Sequence, residues 1–420
     1  EDLQRRNPVN PLQALQGQAP GVSITSSSGQ PGAGLNVVIR GLGTVGNSGP
    51  LYVIDGVPGG DISVINAADI QSIDILKDAA SAAIYGSQAA NGVVLVTTKR
   101  GVAGKSQINF DAYSGIQNVS RKVKLLNADQ YKVIMNEQAL NSGSAPIDFA
   151  SMADLANTNW MDHMFKEDAR TDNYNLGING GTEKSLYAIS MNYISQEGIV
   201  GGKAISNYER YGFRTNTEHK LLGDILKIGQ HLNFNYIKNN GINVGNQYNN
   251  TLRGAFATSP LSPVYSDNNL YDSPYNDTSN SPWYNGDGNP YGSMMTNTNN
   301  KNDAQRLFAD VYAELEPLKG LKLKSLFGFN YSASEYRSFT PLYRFSIYSF
   351  NEDHTTINQN MGKGHTMSWT NTASYDFDIK TDHKFSALAG MEAVRYQGTY
   401  LSASNWNLLS QFNDFSHAYL

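Results

Sequence analysis

The chain has 420 residues, no cysteine, a net charge of −5 and only 16% charged residues. Without cysteine there are no disulfides, thiolate metal sites or cysteine nucleophiles, and a mildly acidic chain leaves no basic footprint for nucleic acid. Abundant Gly (39) and Tyr (25) favour strands and turns over helical bundles. No run of eighteen apolar residues occurs, so no helix can span a bilayer; a spanning strand, however, needs only about 9–11 residues with alternate ones apolar. Glu1 follows no signal peptide and Leu420 closes no unit, so the chain reads as an internal piece of a longer protein.

The stretch Leu12–Gly101 alternates short β-branched runs with glycine-rich turns, which predicts a compact α+β unit of about ninety residues. A short helix is expected at Pro8–Gln16. Strands are expected at Val22–Thr25, Leu35–Arg40, Leu51–Asp55, Ile70–Leu76 and Gly92–Lys99, with a small-residue helix at Asp78–Tyr85. Asp55–Gly56 marks a tight turn. The glycine segments Gly29–Gly34 and Gly41–Gly49 are long for plain connectors and read as tip loops.

After Lys105 the pattern switches to period two. Ile108, Phe110, Ala112 and Ile116 alternate with Asn109, Asp111 and Tyr113; Leu307, Ala309, Val311, Ala313 and Leu315 alternate with Phe308, Asp310, Tyr312 and Glu314. Nine strands are expected, at 106–117, 171–181, 184–196, 207–219, 225–238, 304–316, 321–335, 364–379 and 383–398. Their connections alternate strictly between long and short. The short ones are Gly181–Lys184, Lys220–Asp224, Pro317–Gly320 and Lys380–Asp382; the main long ones are 118–170, 239–303 and 336–363. Tight turns at one end and long loops at the other describe an outer-membrane barrel, with Tyr and Phe near strand ends as aromatic girdles. A large soluble β-sandwich or adhesin shares the alternation but not the asymmetry of its ends.

Catalytic signatures are missing: there is no phosphate loop, no H-E-x-x-H and no G-x-S-x-G. The seven histidines have no ligand spacing. Asn285–Asn289 faintly resembles a calcium loop but lacks the downstream acidic residue, so no cofactor is expected. Loop aromatics, Tyr265, Tyr271, Tyr275, Trp283, Tyr284 and Tyr291, offer broad faces for a sugar or peptide, or pack on one another.

LQGQAPGV, Ile39–Gly41, PLYVIDGVP at Pro50–Pro58, INAADIQSIDILKDAASAAIYG at Ile65–Gly86 and AANGVVLVTTKRG at Ala89–Gly101 together resemble the plug of TonB-dependent outer-membrane transporters, in the SusC/RagA branch of the Bacteroidota. RGAFATSPLSPVY at Arg253–Tyr265 is similar to a barrel block of that branch. Gln88 and Ala67 depart from its usual Arg and Pro. The resemblance implies a membrane β-barrel of 22 strands in full, closed by an N-terminal α+β plug. This chain would hold the plug, as domain 1–104, and about nine strands, as the first part of the barrel, 105–420. A TonB-contacting segment would precede Glu1 and the remaining strands would follow Leu420.

The implied function is TonB-dependent active import of a large nutrient, an oligosaccharide or a peptide, with no enzymatic activity. An alternative is a barrel that scaffolds a larger outer-membrane complex. Implied partners are a SusD-like lipoprotein lid, TonB with its inner-membrane motor, outer-membrane lipid and the glycan or peptide substrate. Substrate contacts are expected at the apical loops Ser26–Gly32, Leu42–Ser48 and Gly59–Asp61, with Gln30, Asn47, Ser48 and Asp61 singled out, together with Trp283, Tyr284 and Tyr291. Arg40, Asp55, Lys77 and Asp78 are expected to be plug-structural, in charge pairs within the plug or against the wall, and Gly41 and Gly56 in backbone turns.

Overall fold

Short β-branched runs broken by glycine can build short strands only, and the N-terminal unit is made of them. The computed structural model describes residues 9–78, 83–153, 155–246, 250–266, 271, 287–297, 299–379 and 383–406. β1 (Val22–Ser26) and β2 (Leu35–Ile39) form a hairpin. β3 (Leu51–Ile54), β4 (Val57–Pro58), β5 (Ile70–Leu76) and β6 (Val93–Thr98) form a sheet in the order β4-β3-β6-β5, in which β3 and β6 run parallel. The turn between β3 and β4 needs left-handed backbone at Asp55 (φ 48°) and Gly56 (φ 92°), which Asp tolerates and Gly adopts freely.

The first expected helix of this unit is shorter in the structure, and half of the second falls outside the described residues. The first is a single turn, Pro11–Ala14, capped by Asn10, whose Oδ1 accepts from Leu12 N at 3.0 Å. In the second, residues 79–82 lie outside the described residues, and Ala83–Ala89 is a 3₁₀ segment interrupted at Gly86 (φ 63°, ψ −153°). A residue with that backbone breaks the helical hydrogen-bond ladder, whatever its neighbours prefer.

From Gly104 the chain runs as an antiparallel meander. Its strands are β7 (Gly104–Gln117), β8 (Ala169–Gly181), β9 (Ser185–Glu197), β10 (Asn207–Leu221), β11 (Leu226–Asn240), β12 (Asn300–Leu318) and β13 (Leu321–Thr340). A small hairpin, β14 (Tyr343–Arg344) and β15 (Phe350–Asn351), follows. β16 (Thr356–Ile379) and β17 (His383–Trp406) then complete a nine-stranded sheet in which each strand pairs with its neighbour in sequence. Residues 13 to 24 per strand far exceed the 9–11 that cross a bilayer, so the wall rises beyond the lipid.

The period-two pattern sorts the two faces. Ile108, Phe110, Met191, Val311, Phe327 and Trp369 are exposed on the outside, whereas Ser190, Asn192, Asn216, His231 and Asp310 are buried on the inside against the N-terminal unit. Register places Tyr174, Tyr193, Tyr211 and Tyr236 in one outward row across four strands, with ring centroids of the first three 6.2 and 4.9 Å apart. Such a row is an aromatic girdle. Among the described residues no helix is long and apolar enough to cross a membrane.

Four strands reach further than alternation predicts: β12 starts at Asn300, β13 runs to Thr340, β16 starts at Thr356 and β17 ends at Trp406. The expected loop 336–363 therefore shrinks to 341–355. Above the lipid neither face needs to be apolar, so strand continues there without an alternating signal, held by ladder pairs such as Asn302↔Tyr336 and Asn360↔Ser402.

Candidate functional site

Two of the contacts between the N-terminal unit and the wall differ in kind. Over β9 and β10 the contact is polar. Arg214 and Asp69 form an ion pair at 3.3 Å with side chains only 3% and 6% exposed, and Ser190 Oγ donates to the second Asp69 oxygen at 2.9 Å. Arg214 Nη2 also donates to Lys99 O. Asn216 Nδ2 donates to Thr98 Oγ1 at 2.9 Å and to Lys99 O at 3.1 Å, and Arg210 Nη1 donates to Ser63 O. Two arginines four residues apart on the inward parity of β10 were the sequence signal for this contact; their partners, 145 and 147 residues away, were not readable from it.

Over β12 and β13 the contact is apolar. Phe308, Tyr312 and Leu326 of the wall join Ile54, Val57, Ile62 and Ile65 in one buried cluster. Val57 nests on Gly328, where a Cβ would come within 2.8 Å of Val57 Cγ1. Asn330 Nδ2 closes this side on Gly59 O at 2.8 Å.

Above both contacts lies a cavity of about 480 Å³ between the loop 26–34, Asp61–Val64 and the inward faces of β9 to β12. Gln30 and Asp61 both line it. Gln30 Nε2 donates to Ile242 O at 2.8 Å, and Gly32 N to Gln196 Oε1 at 3.3 Å, so the loop is tied to the wall rim. Gly32 is required there: its φ is 65°, and a Cβ would lie 2.1 Å from the Tyr208 ring. Asp61 caps a 3₁₀ turn, accepting from Ser63 N at 2.9 Å and Ser63 Oγ at 2.6 Å. Burial, with the Asp61 charge added, pushes the Tyr52 phenol up to about 12.

Asn47 and Ser48 are not brought to this cavity. Their loop is held by Asn91 Nδ2, which donates to Asn47 O at 2.8 Å, at the Leu51–Val93 end of the sheet, opposite the turn that meets the wall. Arg40 pairs with Asp78 within the unit, both more than half exposed. Lys77 makes no ion pair among the described residues; its Nζ donates to Pro20 O at 2.6 Å. Asp55 is likewise turned inward, accepting from Thr98 N at 2.9 Å and Thr98 Oγ1 at 2.6 Å. Gly41 and Gly56 have φ of 88° and 92°.

The long connections pack into an extracellular cluster around Trp160, Met161, Met164, Ala255 and Met294. Trp160 Nε1 donates to Ser259 O at 3.0 Å. Trp283 and Tyr284 lie outside the described residues. Tyr291 sits among Tyr265, Tyr271 and His163, with ring centroids about 6 Å apart, and burial and its bond to Tyr265 push its phenol up to about 12. Of the faint calcium segment, residues 285 and 286 lie outside the described residues; Asp287 pairs with Arg253, and Asn289 is tied to Val264 O and Gly292 N. Among the described residues no group of three or more acidic or histidine side chains could hold a metal ion.

The family described as TonB-dependent Receptor Plug Domain matches residues 1–93. TonB-dependent receptor P26 of Formosa agariphila is 35% identical over 98% of this chain and 40% of its own length. TonB-dependent receptor SusC of Bacteroides thetaiotaomicron is 32% identical over 64% of this chain and 27% of its own. The chain belongs to the TonB-dependent receptors of the SusC/RagA family. Its N-terminal unit is the plug and its nine-stranded sheet is barrel wall. A solved structure of the RagAB peptide importer superposes with a TM-score of 0.80 over 99% of this chain and 49% of that one, at 23% identity, which establishes the shared fold. The receptor chain thus spans less than half the length of these relatives, and its wall stands in the bacterial outer membrane.

Proposed function

We propose that the protein imports a large nutrient, an oligosaccharide or a peptide, across the outer membrane by TonB-driven movement of the plug, and that it is not an enzyme. The observation that carries this reading is the plug–wall joint. It combines a few buried polar anchors with one small apolar seat, and wall amides such as Asn192 Oδ1, Asn216 Oδ1 and Asn235 Oδ1 are buried with no hydrogen-bond partner among the described residues. A joint so incompletely paired exchanges bonds with water when it shifts, at low net cost. A barrel wide enough for a large cargo would leak without such a stopper, and no phosphate loop in the sequence offers a local energy source.

In this reading Gln30 and Asp61 report cargo from the cavity floor, whereas Asn47 and Ser48 act further down the plug. Tyr291, in the extracellular cluster, is a cargo contact in this reading, and Trp283 and Tyr284 are kept as cargo contacts on the sequence alone. A SusD-like lipoprotein covers that entrance, TonB pulls from the periplasm, and no cofactor takes part. Transport is supported by the RagAB complex, a peptide importer whose fold this chain shares. In the full-length receptor, removing the TonB-contacting segment is expected to abolish growth on the cargo while the protein still reaches the outer membrane. Unchanged growth would favour a scaffolding barrel instead.

A further inference from the structure

We propose that the cavity above the plug is a subsite for the carboxylate of an acidic, uronate-bearing oligosaccharide, with Arg306 as the contact cation and Arg210 as the cation behind it. This rests on the import reading and narrows its cargo.

The three inward arginines of β10 and β12 make the case by contrast. Arg214 shows what an arginine that holds the plug looks like: it has a buried carboxylate partner, Asp69. Arg210 has none. It is fully buried, its single bond goes to Ser63 O, and its Nε and Nη2 are buried with no hydrogen-bond partner among the described residues. A buried guanidinium without a counter-charge is costly and calls for an anion nearby. Its acceptor Ser63 lines the cavity, as do Ile237, its register partner on β11, and Ala304 next in the same row. Arg306 lines the cavity directly, two residues along β12, and its Nη1 donates to the carbonyls of Gln305 and Ala333, with no carboxylate paired to it among the described residues. Among the described residues the one carboxylate lining the cavity is Asp61, which has an oxygen engaged by Ser63. Arg306 at the cavity and Arg210 buried behind Ser63 are two cations against the single Asp61 charge, so the site as a whole carries one excess positive charge among the described residues.

The rest of the wall points to a sugar. The row that contains Arg210, Ile237 and Ala304 continues through Ser334 and Gly362 to Tyr400 on the inward face. Tyr396 shares that face and lies over the paired Gly364 and Gly398. Between Arg306 and these rings the inward residues are Ser332, Ser334, Gly362 and Gly364, none of them charged or bulky. Flat aromatic faces on a floor of hydroxyls and bare backbone suit pyranose rings. Peptide side chains would call instead for apolar pockets. Three strand spacings separate β12 from β17, about 14 Å. A chain of a few sugars can therefore put a carboxylate at Arg306 and a ring on Tyr400.

The test is calorimetric titration of the full-length receptor in detergent with a galacturonate oligomer of four to six sugars and with its carboxyl-reduced, neutral counterpart. The acidic form is expected to bind about tenfold more tightly at low salt, as one charge-assisted contact allows. The preference is expected to fall to near one in R306Q, to shrink in R210Q and to persist in R306K. Y400A is expected to weaken both forms. Heat-shifted gel migration checks that each variant is folded. Equal affinity for the two forms, or a preference that survives R306Q, overturns the proposal. So does a peptide that outcompetes the galacturonate through its free C-terminus and loses that advantage in R306Q. The import reading fails separately, if uptake of every bound ligand continues without the TonB-contacting segment.

Discussion

Over β9 and β10 the plug is held by hydrogen bonds and a buried ion pair; over β12 and β13 it rests on Phe308, Tyr312 and Leu326. The two joints respond differently to movement. The polar joint is specific in register, because Arg214 meets Asp69 in one position only, yet water can replace its outer bonds as the plug shifts. The apolar joint carries the Asn330 bond to Gly59 O at its edge but is otherwise non-directional, so it re-forms readily over small displacements, and its strength follows mainly the area it hides. Together they seat the plug in one place without sealing it there.

The largest effect should come from breaking the polar joint on one side only. Asp69→Ala leaves Arg214 buried without a counter-charge and should destabilise the seated plug by about 3–5 kcal/mol, read as faster hydrogen exchange across β5 and β6. The double variant Asp69→Ala/Arg214→Ala should be less harmful than Asp69→Ala alone. If the two are equal, the pair is not the anchor. Leu326→Ala attacks the other joint and should cost about 2–3 kcal/mol through a cavity under Ile54 and Val57, seen in the same exchange measurement but centred on β3 and β4.

Gly32→Ala tests whether the apical loop must hug the wall. A Cβ at φ 65° would strike Tyr208, so the loop should lift, with a loss of about 1–3 kcal/mol and loss of the Gln30 bond to Ile242. Tyr208→Ala should rescue part of it; no rescue means the backbone strain alone is responsible. The smallest effect lies outside the joints. Tyr291 has its pKa raised to about 12 by burial, so the extracellular cluster is stabilised by its neutral form. That contribution is fully present below the ordinary tyrosine value near 10 and is lost as pH rises through about 12. Thermal melts of the loop region should be flat with pH below 10 and fall above it, and Tyr291→Phe should flatten the fall.

Much of this was readable without coordinates. Ile108, Phe110, Val311 and Phe327 marked the lipid face because a lipid-spanning strand must alternate, and the tight turns near Gly181, Gly223 and Gly320 marked one rim. The strand tops were not readable: above the lipid both faces are polar, so residues such as Asn358, Gln359 and Asn360 carry no periodic signal. The cavity was half readable. Gln30 and Asp61 sit in tip loops recognisable by their glycines and turns, but nothing local shows that the Asn47 loop lies at the other end of the sheet. Trp160, buried under Ser259, looked like any loop residue, because its partner lies 99 residues away.

The sequence by itself determined the alternation, the lengths and the turn chemistry, since these follow from residues a few positions apart and from which solvent each face must meet. Only the tertiary structure decided which wall residue faces which plug residue. That depends on register accumulated across nine strands and on how the plug lies against them. Arg210 and Arg214 are four residues apart on one strand and indistinguishable in the sequence. Register gives one a carboxylate and leaves the other buried beside a cavity without one.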